Sequence, residues 1–159
     1  MKLYKTLYKS PIGELLLCAD ETALHSIQFE PTAEVEHADI NSILERTRQQ
    51  LDSYFAGNLT EFDLPLKLDG TDFQKQVWLA LTDVPYGHTA SYKDIALKIG
   101  NPKAVRAVGG ANNKNPVPIV IPCHRIIGSN KAMIGYAGGL WRKQFLLELE
   151  TKQTSLHFQ

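Results

Sequence analysis

The chain has 159 residues, of which 43% are hydrophobic and 21% charged, and its formal net charge is zero. This length suits one domain or two small ones, and no apolar run approaches the roughly 18 residues of a membrane helix. The first ten residues lack the apolar core and cleavage site of a signal peptide. We therefore expect a cytoplasmic protein.

The two halves of the chain differ in charge. Residues 1–70 contain 6 Lys and Arg against 12 Asp and Glu, a net of −6, whereas residues 71–159 contain 11 against 5, a net of +6. A basic half joined to an acidic half is expected if only one half touches a polyanion. An internal dipole between packed halves would give the same split.

Short β-strands are predicted in the first third. The runs 4–8, 14–19 and 23–29 are separated by turn-forming residues at 10–13 and 20–22. A helix is then predicted over Ala38–Phe55, where apolar residues recur at helical spacing and Gly57 follows. Residues 64–66 read as an edge strand or the start of a linker. We expect an α+β domain at 1–70.

The remainder, 71–159, is predicted to be a mainly helical domain. An apolar stripe that includes Phe73 and Leu81 indicates a helix that ends before Pro85. Ser91 and Asp94 form a variant of the capping box at the start of a second helix, and Gly100 stops it. Asn101 is then predicted to cap a third helix with Pro102 at its first position.

Two short helices joined by a glycine-containing turn indicate a helix-turn-helix, although plain helix hairpins share this spacing. The second of these helices, from Pro102 to about Asn112, is rich in small residues and contains Gly109 and Gly110. Each glycine costs a helix roughly 1 kcal/mol relative to alanine. Close approach of a neighbouring element or of nucleic acid is the physical reason we expect. Arg106 lies in the middle of this helix.

Only two cysteines, Cys18 and Cys123, are present. They are too few for a secreted disulfide framework or a CxxC zinc site, although a single disulfide is not excluded by counting. Cys18 and His25 could at most contribute to a weak mixed metal site, and a core cysteine beside a strand-edge histidine is the simpler interpretation. We expect no metal and no cofactor.

The most informative segment runs from Asn115 to Arg125, an apolar stretch flanked by prolines that ends in Cys123-His124-Arg125. Cysteine is nucleophilic as the thiolate, and a neighbouring His or Arg can lower its pKa. Successive side chains of an extended segment point to opposite sides. A Cys-His relay would therefore need a bridging water or a sharp turn, and a carboxylate to orient the imidazole.

The final predicted helix, 140–150, offers Glu148 and Glu150 as candidates for that carboxylate. Adjacency of Cys and His is weak evidence by itself. A buried, inert cysteine beside a surface histidine is the commoner arrangement, because free cysteine is among the most buried residues.

The run Pro118–Arg125 resembles the active-site signature of the O6-alkylguanine-DNA alkyltransferases. The resemblance extends through Ser91-Tyr92, residues 100–111 and residues 135–150, and more weakly through residues 10–13. It implies a ribonuclease-H-like N-terminal domain and a C-terminal domain with a helix-turn-helix of winged-helix type. It further implies single-turnover transfer of an alkyl group from flipped O6-alkylguanine, with O4-alkylthymine as a second substrate.

The resemblance also implies roles for individual residues. Cys123 matches the alkyl acceptor, His124 the residue that takes the thiol proton through a water, and Glu150 the carboxylate that orients it, which leaves Glu148 as a solvated charge. Asn115 matches the asparagine that holds the turn before the acceptor. Tyr92 matches the tyrosine that assists nucleotide rotation and protonates the departing base.

Further residues match the DNA-contacting surface and the guanine pocket of the family. Arg106 matches the finger that fills the space of the flipped nucleotide, in the minor groove of double-stranded DNA. The other DNA-contacting candidates are Tyr92, Lys93, Asn101, Lys103, Ala107 and Ser129. The guanine-pocket candidates are Pro118, Ile126, Tyr136 and Ala137, the last through its backbone N–H.

There are departures from the family pattern. Asn112 replaces an apolar residue beside the nucleotide, which affects the packing expected there, and Ala137 replaces a serine. The zinc ligands of certain members are not matched, apart from His25. The resemblance implies a monomer that binds no membrane. A damage binder without repair activity, a helix-turn-helix regulator and a cysteine hydrolase are the competing functions.

Overall fold

The computed structural model describes residues 1–32, 40–128 and 135–157. The chain divides into two compact units, Met1–Asp69 and Gly70–Gln159. No helix within the described ranges is long and apolar enough to cross a membrane.

The N-terminal unit is built on a three-stranded antiparallel sheet. Its strands are β1 (Tyr4–Ser10), β2 (Gly13–Ala19) and β3 (Leu24–Phe29), in the order β1-β2-β3. The turn between β1 and β2 uses Gly13 at φ 102°, a conformation that favours glycine. Leu66 joins β3 through a single bridge to Leu24, so the segment 64–66 is an edge contact of this sheet.

One helix, α1 (Ser42–Phe55), packs on this sheet. The prediction that it begins at Ala38 was wrong, because Ile40 and Asn41 are not helical and the Asn41 side chain accepts a hydrogen bond from the Leu44 N–H as the N-cap. Its buried face contributes Leu44, Leu51 and Tyr54, each fully enclosed, to the core. The α+β class predicted from the sequence is confirmed.

The C-terminal unit contains four helices in its described residues. They are α2 (Asp72–Leu81), α3 (Tyr92–Lys98), α4 (Val105–Asn113) and α5 (Leu140–His157). Two short parallel strands, β4 (Ala90–Ser91) and β5 (Ile126–Ile127), join the start of α3 to the segment that follows Cys123. The Trp78 indole donates a 2.8 Å hydrogen bond to the Ala111 carbonyl and so docks α2 on α4.

The predicted helix-turn-helix is formed by α3 and α4. The Ser91–Asp94 capping box is present, and Gly100 ends the first helix at φ 76°. The predicted Asn101 cap was wrong. Residues 101–104 instead form a turn closed by the Ala104 N–H on the Asn101 carbonyl, and α4 begins only at Val105 without a side-chain cap.

Candidate active site

A tight turn, and not an extended strand, delivers the Cys-His pair. Ile119 has φ 75°, and a bridge joins Pro118 to Ile121, after which Cys123–Arg125 form one turn of 3-10 helix. A β-branched residue in the left-handed region costs on the order of 1–3 kcal/mol and persists only where its surroundings impose it. This is the sharp turn that a Cys-His relay requires.

Asn115 holds this turn with both ends of its side-chain amide. Its Nδ2 donates to the Ile121 carbonyl at 2.8 Å, and its Oδ1 accepts from the Val117 N–H at 3.0 Å. The side chain therefore closes the chain segment that carries the strained Ile119. Loss of the amide would leave the Ile121 carbonyl and the Val117 N–H without these partners, which is costly inside a protein.

His124 and Arg125 share one carboxylate. His124 Nε2 lies 2.6 Å from Glu150 Oε2, while Arg125 donates from Nε to Oε1 at 2.8 Å and from Nη2 to Oε2 at 3.1 Å. The Gly87 N–H adds a 3.3 Å contact to Oε1. His124, Arg125 and Glu150 are all buried, whereas Glu148 is exposed and accepts from Gln144.

The geometry fixes the tautomer of a neutral His124. An ionised carboxylate can only accept, so Nε2 must carry the ring proton. Nδ1 is buried and has no hydrogen-bond partner among the described residues. Nδ1 therefore has a lone pair available inside the protein, on the residue that directly follows Cys123 in the chain.

The charges of this group are set by burial and by its neighbours. Burial raises the pKa of Glu150, but the hydrogen bonds and charges of His124 and Arg125 outweigh it and lower that pKa to about 2. Burial lowers the pKa of His124, and Arg125 and Lys143 lower it further, against the opposing pull of Glu150. The resting state at neutral pH is thus a carboxylate beside a neutral imidazole.

Cys123 is only 4% exposed, and burial raises the pKa of its thiol to about 11, although Asn115, Tyr136 and Lys143 act in the opposite direction. Lys143 is fully buried, and burial lowers its pKa to about 8 while the Cys123 charge raises it. The thiol is therefore protonated at rest and needs a base when it reacts. We call Cys123, His124, Arg125, Lys143 and Glu150 the acceptor cluster.

Two tyrosines border Cys123. The pKa of Tyr92 is raised by burial and by the charge of Cys123, and its hydroxyl lies beside Gly135, where an added Cβ would come within 3.5 Å. The pKa of Tyr136 is raised for the same two reasons, and its hydroxyl is enclosed. Both phenols are therefore protonated at neutral pH and can serve as donors.

The segment 135–139, which contains two of the predicted guanine-pocket residues, is anchored by α5. Lys143 Nζ donates to the carbonyls of Gly135 and Ile126, and Arg142 donates to the Gly138 carbonyl at 2.8 Å. Ala137 is exposed, Tyr136 half-buried, and Pro118 and Ile126 buried. The structure thus ties the β5 residue Ile126 to the predicted pocket segment.

Asn112, the departure from the family pattern, is buried next to the backbone of Cys123. It is 2% exposed, its Nδ2 is 3.5 Å from the Cys123 carbonyl, and its Oδ1 has no hydrogen-bond partner among the described residues. The side chain therefore links the end of α4 to the backbone of Cys123.

The predicted DNA-contacting residues lie on the surface of the helix-turn-helix. Tyr92 is half-buried, and the exposed members are Lys93, Asn101, Lys103, Arg106 and Ala107. Ser129 lies outside the described residues. A Cβ added at Gly110 would meet no atom within 4 Å, and one at Gly109 would make only ordinary contacts with Tyr92. Packing within the described residues therefore does not require either glycine.

Sequence reasoning missed two members of the acceptor cluster. Arg125 was noted only as a cation able to lower the pKa of the thiol, but its guanidinium binds Glu150 and the Val84 carbonyl instead. Lys143 was not considered. Its position about two helical turns before Glu150, on the same face of α5, is the signal that could have identified it.

Comparison with known proteins identifies the family. The model of the 6-O-methylguanine DNA methyltransferase DNA binding domain matches residues 72–152, and that of the ribonuclease-like domain matches residues 3–68. The chain belongs to the 6-O-methylguanine DNA methyltransferase family. The family assignment and the fold predicted from the sequence are confirmed.

Individual relatives extend over nearly the whole chain. A methylated-DNA--protein-cysteine methyltransferase of Methanosarcina acetivorans is 47% identical and covers 93% of this chain and 98% of its own. The constitutive enzyme of that name from Bacillus subtilis is 44% identical, with coverage of 92% and 94%. The crystal structure of Mycobacterium tuberculosis OGT in complex with DNA is 46% identical, with a TM-score of 0.87 and 94% coverage of each chain.

Proposed function

We propose that this protein repairs DNA by transferring an alkyl group from O6-alkylguanine to its own Cys123. The family membership supplies the reaction class. The observation that carries the assignment to particular residues is the acceptor cluster, in which a buried thiol is followed by a histidine whose tautomer is fixed by Glu150.

The chemistry follows from the arrangement of the cluster. The Cys123 thiol gives its proton to His124 Nδ1, through a bridging water, and the resulting imidazolium is stabilised by Glu150. The thiolate sulfur then forms a bond to the alkyl carbon while the bond from that carbon to guanine O6 breaks. The guanine takes up a proton from Tyr92 as it leaves, so it departs as a neutral base and the phenol recovers its proton from the imidazolium.

One turnover per molecule is the expected consequence. The product is a thioether at Cys123, and a thioether has no acidic proton and no leaving group that a neighbouring carboxylate or imidazole could expel. Cys18, the other cysteine, belongs to the N-terminal unit. Regeneration is not part of the proposed chemistry.

The exposed face of α4 is the proposed DNA contact. An O6-alkyl group is hidden in the duplex, so the nucleotide must rotate out at a cost of a few kcal/mol. Arg106 would fill the space left behind, and the small residues Ala107 and Gly110 allow the helix backbone to come close to the minor groove. We infer a monomer acting on double-stranded DNA.

The competing functions make different demands on the same residues. A helix-turn-helix regulator would present polar side chains for reading bases in the major groove and would need no buried Cys-His-Glu set. A damage binder without repair activity would need no acceptor thiol. A cysteine hydrolase would turn over on esters or amides. A cytoplasmic location stays part of the proposal, and two free thiols suit that compartment.

The intact mass after incubation with an oligonucleotide that contains O6-methylguanine tests the proposal. One added methyl group per chain, found on the peptide that contains Cys123, is the expected result. Methylation elsewhere in the chain, or repair of many lesions by each molecule, would refute it. Hydrolysis of a panel of esters and amides, measured on the same preparation, distinguishes the hydrolase alternative.

A further inference from the structure

We infer that Arg125 is a positioning residue for alkyl transfer, which holds Glu150 in place and keeps His124 neutral so that Nδ1 can accept the thiol proton. This inference rests on the proposed function, since it concerns the relay of that same site. The sequence analysis had considered Arg125 only as a cation that could lower the pKa of the Cys123 thiol.

The first support is the division of one carboxylate between two donors. Arg125 approaches both Glu150 oxygens, at 2.8 and 3.1 Å, and His124 approaches Oε2 at 2.6 Å. A two-bonded guanidinium fixes the plane of a carboxylate as well as its position. Arg125 therefore acts on the orientation of the imidazole through Glu150.

The second support is that Arg125 is itself held from the other side. Its Nη1 donates to the Val84 carbonyl at 2.8 Å, and its guanidinium carbon lies 5.7 Å from the centre of the Tyr86 ring. Val84 and Tyr86 belong to the segment after α2, while Glu150 belongs to α5. Arg125 thus fixes the carboxylate to a segment that carries none of the reacting atoms.

The third support is electrostatic. A carboxylate alone beside His124 would favour the imidazolium, which cannot accept another proton at Nδ1. Arg125 offsets that pull because its permanent positive charge acts on both partners, lowering the pKa of His124 and of Glu150. The other charged or titratable groups that interact with this pair in the described residues are Lys143, which acts on His124, and Tyr86 and Tyr136, which interact with Glu150.

The pH dependence of transfer separates this role from simple support of the fold. The rate should fall on the acid side as His124 becomes protonated. Because Arg125 lowers the pKa of His124, its replacement by an uncharged residue raises that pKa, and the acid limb moves to higher pH. We expect a shift of about one pH unit for Arg125→Met.

Arg125→Lys separates charge from geometry. Lysine keeps the positive charge but cannot reproduce the two parallel hydrogen bonds. The acid limb should remain close to that of the unchanged protein, while the pH-independent rate falls about tenfold, the scale of lost outer hydrogen-bond partners. Arg46→Lys is the control, because Arg46 also pairs with a carboxylate, that of Asp63, but lies in the N-terminal unit; neither its pH-independent rate nor its acid limb should change.

The experiment measures single-turnover reaction with free O6-benzylguanine between pH 5 and 9, so that DNA binding does not contribute. Thermal unfolding of each variant is measured first. If Arg125→Met does not fold, the rate and acid limb of Arg125→Lys decide the question. A folded Arg125→Lys with unchanged rate, or a folded Arg125→Met with an unchanged acid limb, would overturn the inference.

His124→Ala in the same series keeps the two hypotheses apart. If His124→Ala loses much of the transfer rate while the acid limb of Arg125→Met does not move, only the role of Arg125 is refuted. If His124→Ala keeps the full transfer rate, the relay itself is refuted. If the transfer rate of Arg125→Met is lowered equally at every pH, the residue supports the fold or the pocket without setting the protonation of His124.

Discussion

The acceptor cluster and the exposed face of α4 lie in the same unit but are built on opposite principles. In the cluster, the charges of Arg125 and Glu150 are buried and paired with each other. On α4, Arg106 and Ala107 are exposed, and Gly110 has open space around it. Buried charges need partners inside the protein, whereas exposed charges can be paired by a second molecule that binds to the surface.

Because of this difference, the two parts of the proposed reaction can be tested separately. The buried charges of Arg125 and Glu150 are paired within the protein, so the chemistry of the cluster should be the same on a free base and on a base in a duplex. The surface of α4 contributes only when there is a stack to open. Variants of the acceptor cluster and of Arg106 therefore differ in which of the two substrates they affect as well as in the size of the effect.

The largest effect is expected for the acceptor itself. Cys123→Ser should abolish methyl transfer from duplex DNA and reaction with free O6-benzylguanine, because a serine hydroxyl has a far higher pKa than a thiol and no comparable nucleophile replaces it. Intact mass measures both reactions. Cys18→Ser is the control and should react like the unchanged protein; transfer lost only in Cys18→Ser would reverse the assignment.

The relay should give the next largest effect, again on both substrates. His124→Ala should slow transfer about 100-fold or more, the usual contribution of a general base. Glu150→Gln should slow it about tenfold to 100-fold, because the imidazole loses its orienting charge. Glu148→Gln is the matched control, since Glu148 is exposed on the same helix.

Single-turnover rates with duplex DNA and with free base, measured beside thermal unfolding, check this prediction. If the transfer rate of Glu148→Gln is lower than that of Glu150→Gln, the wrong carboxylate has been assigned. Loss on the duplex alone would place His124 in DNA binding and remove it from the proton relay.

Most of the local structure could be predicted from the sequence where a residue acts on its near neighbours. The three strands, the Ser91–Asp94 capping box and the Gly100 stop all depend on contacts within a few residues. Asn101 shows the limit of this reasoning. A cap followed by proline has the same pattern as the turn 101–104 that the chain actually forms, and only the surrounding structure decides between them.

The site shows the same limit at longer range. The family signature pointed to Cys123, His124 and Glu150, but the partner of Arg125 could not be read from its position, since Val84 and Glu150 are far away along the chain. The turn at Ile119 was equally hidden, because a β-branched residue gives no sign that it will adopt φ 75°. Tertiary contacts override local preference at both places.

A smaller and more selective effect is expected for Arg106→Ala. The arginine is assigned to holding the duplex open, so repair of a lesion in duplex DNA should slow by about tenfold to 100-fold, within the few kcal/mol of unstacking. Reaction with free O6-benzylguanine should hardly change, and mispaired lesions should be less affected. Equal losses on duplex and free base would mean that Arg106 supports the pocket or the fold.

The smallest effect concerns stability and tests how the two helices of the helix-turn-helix, α3 and α4, begin. The Ser91 hydroxyl accepts from the Asp94 N–H at 3.0 Å, so Ser91→Ala should lower the free energy of unfolding by about 1 kcal/mol. Asn101→Ala should lower it by less than about 0.5 kcal/mol, because α4 begins at Val105 without a side-chain cap. Urea unfolding of the two variants measures both values.

A loss near 1 kcal/mol in the free energy of unfolding of Asn101→Ala would restore Asn101 as a cap in solution. If Asn101→Ala weakens duplex binding while stability is unchanged, the side chain acts at the DNA surface, as is proposed for the exposed face of α4, and has no part in forming the helix.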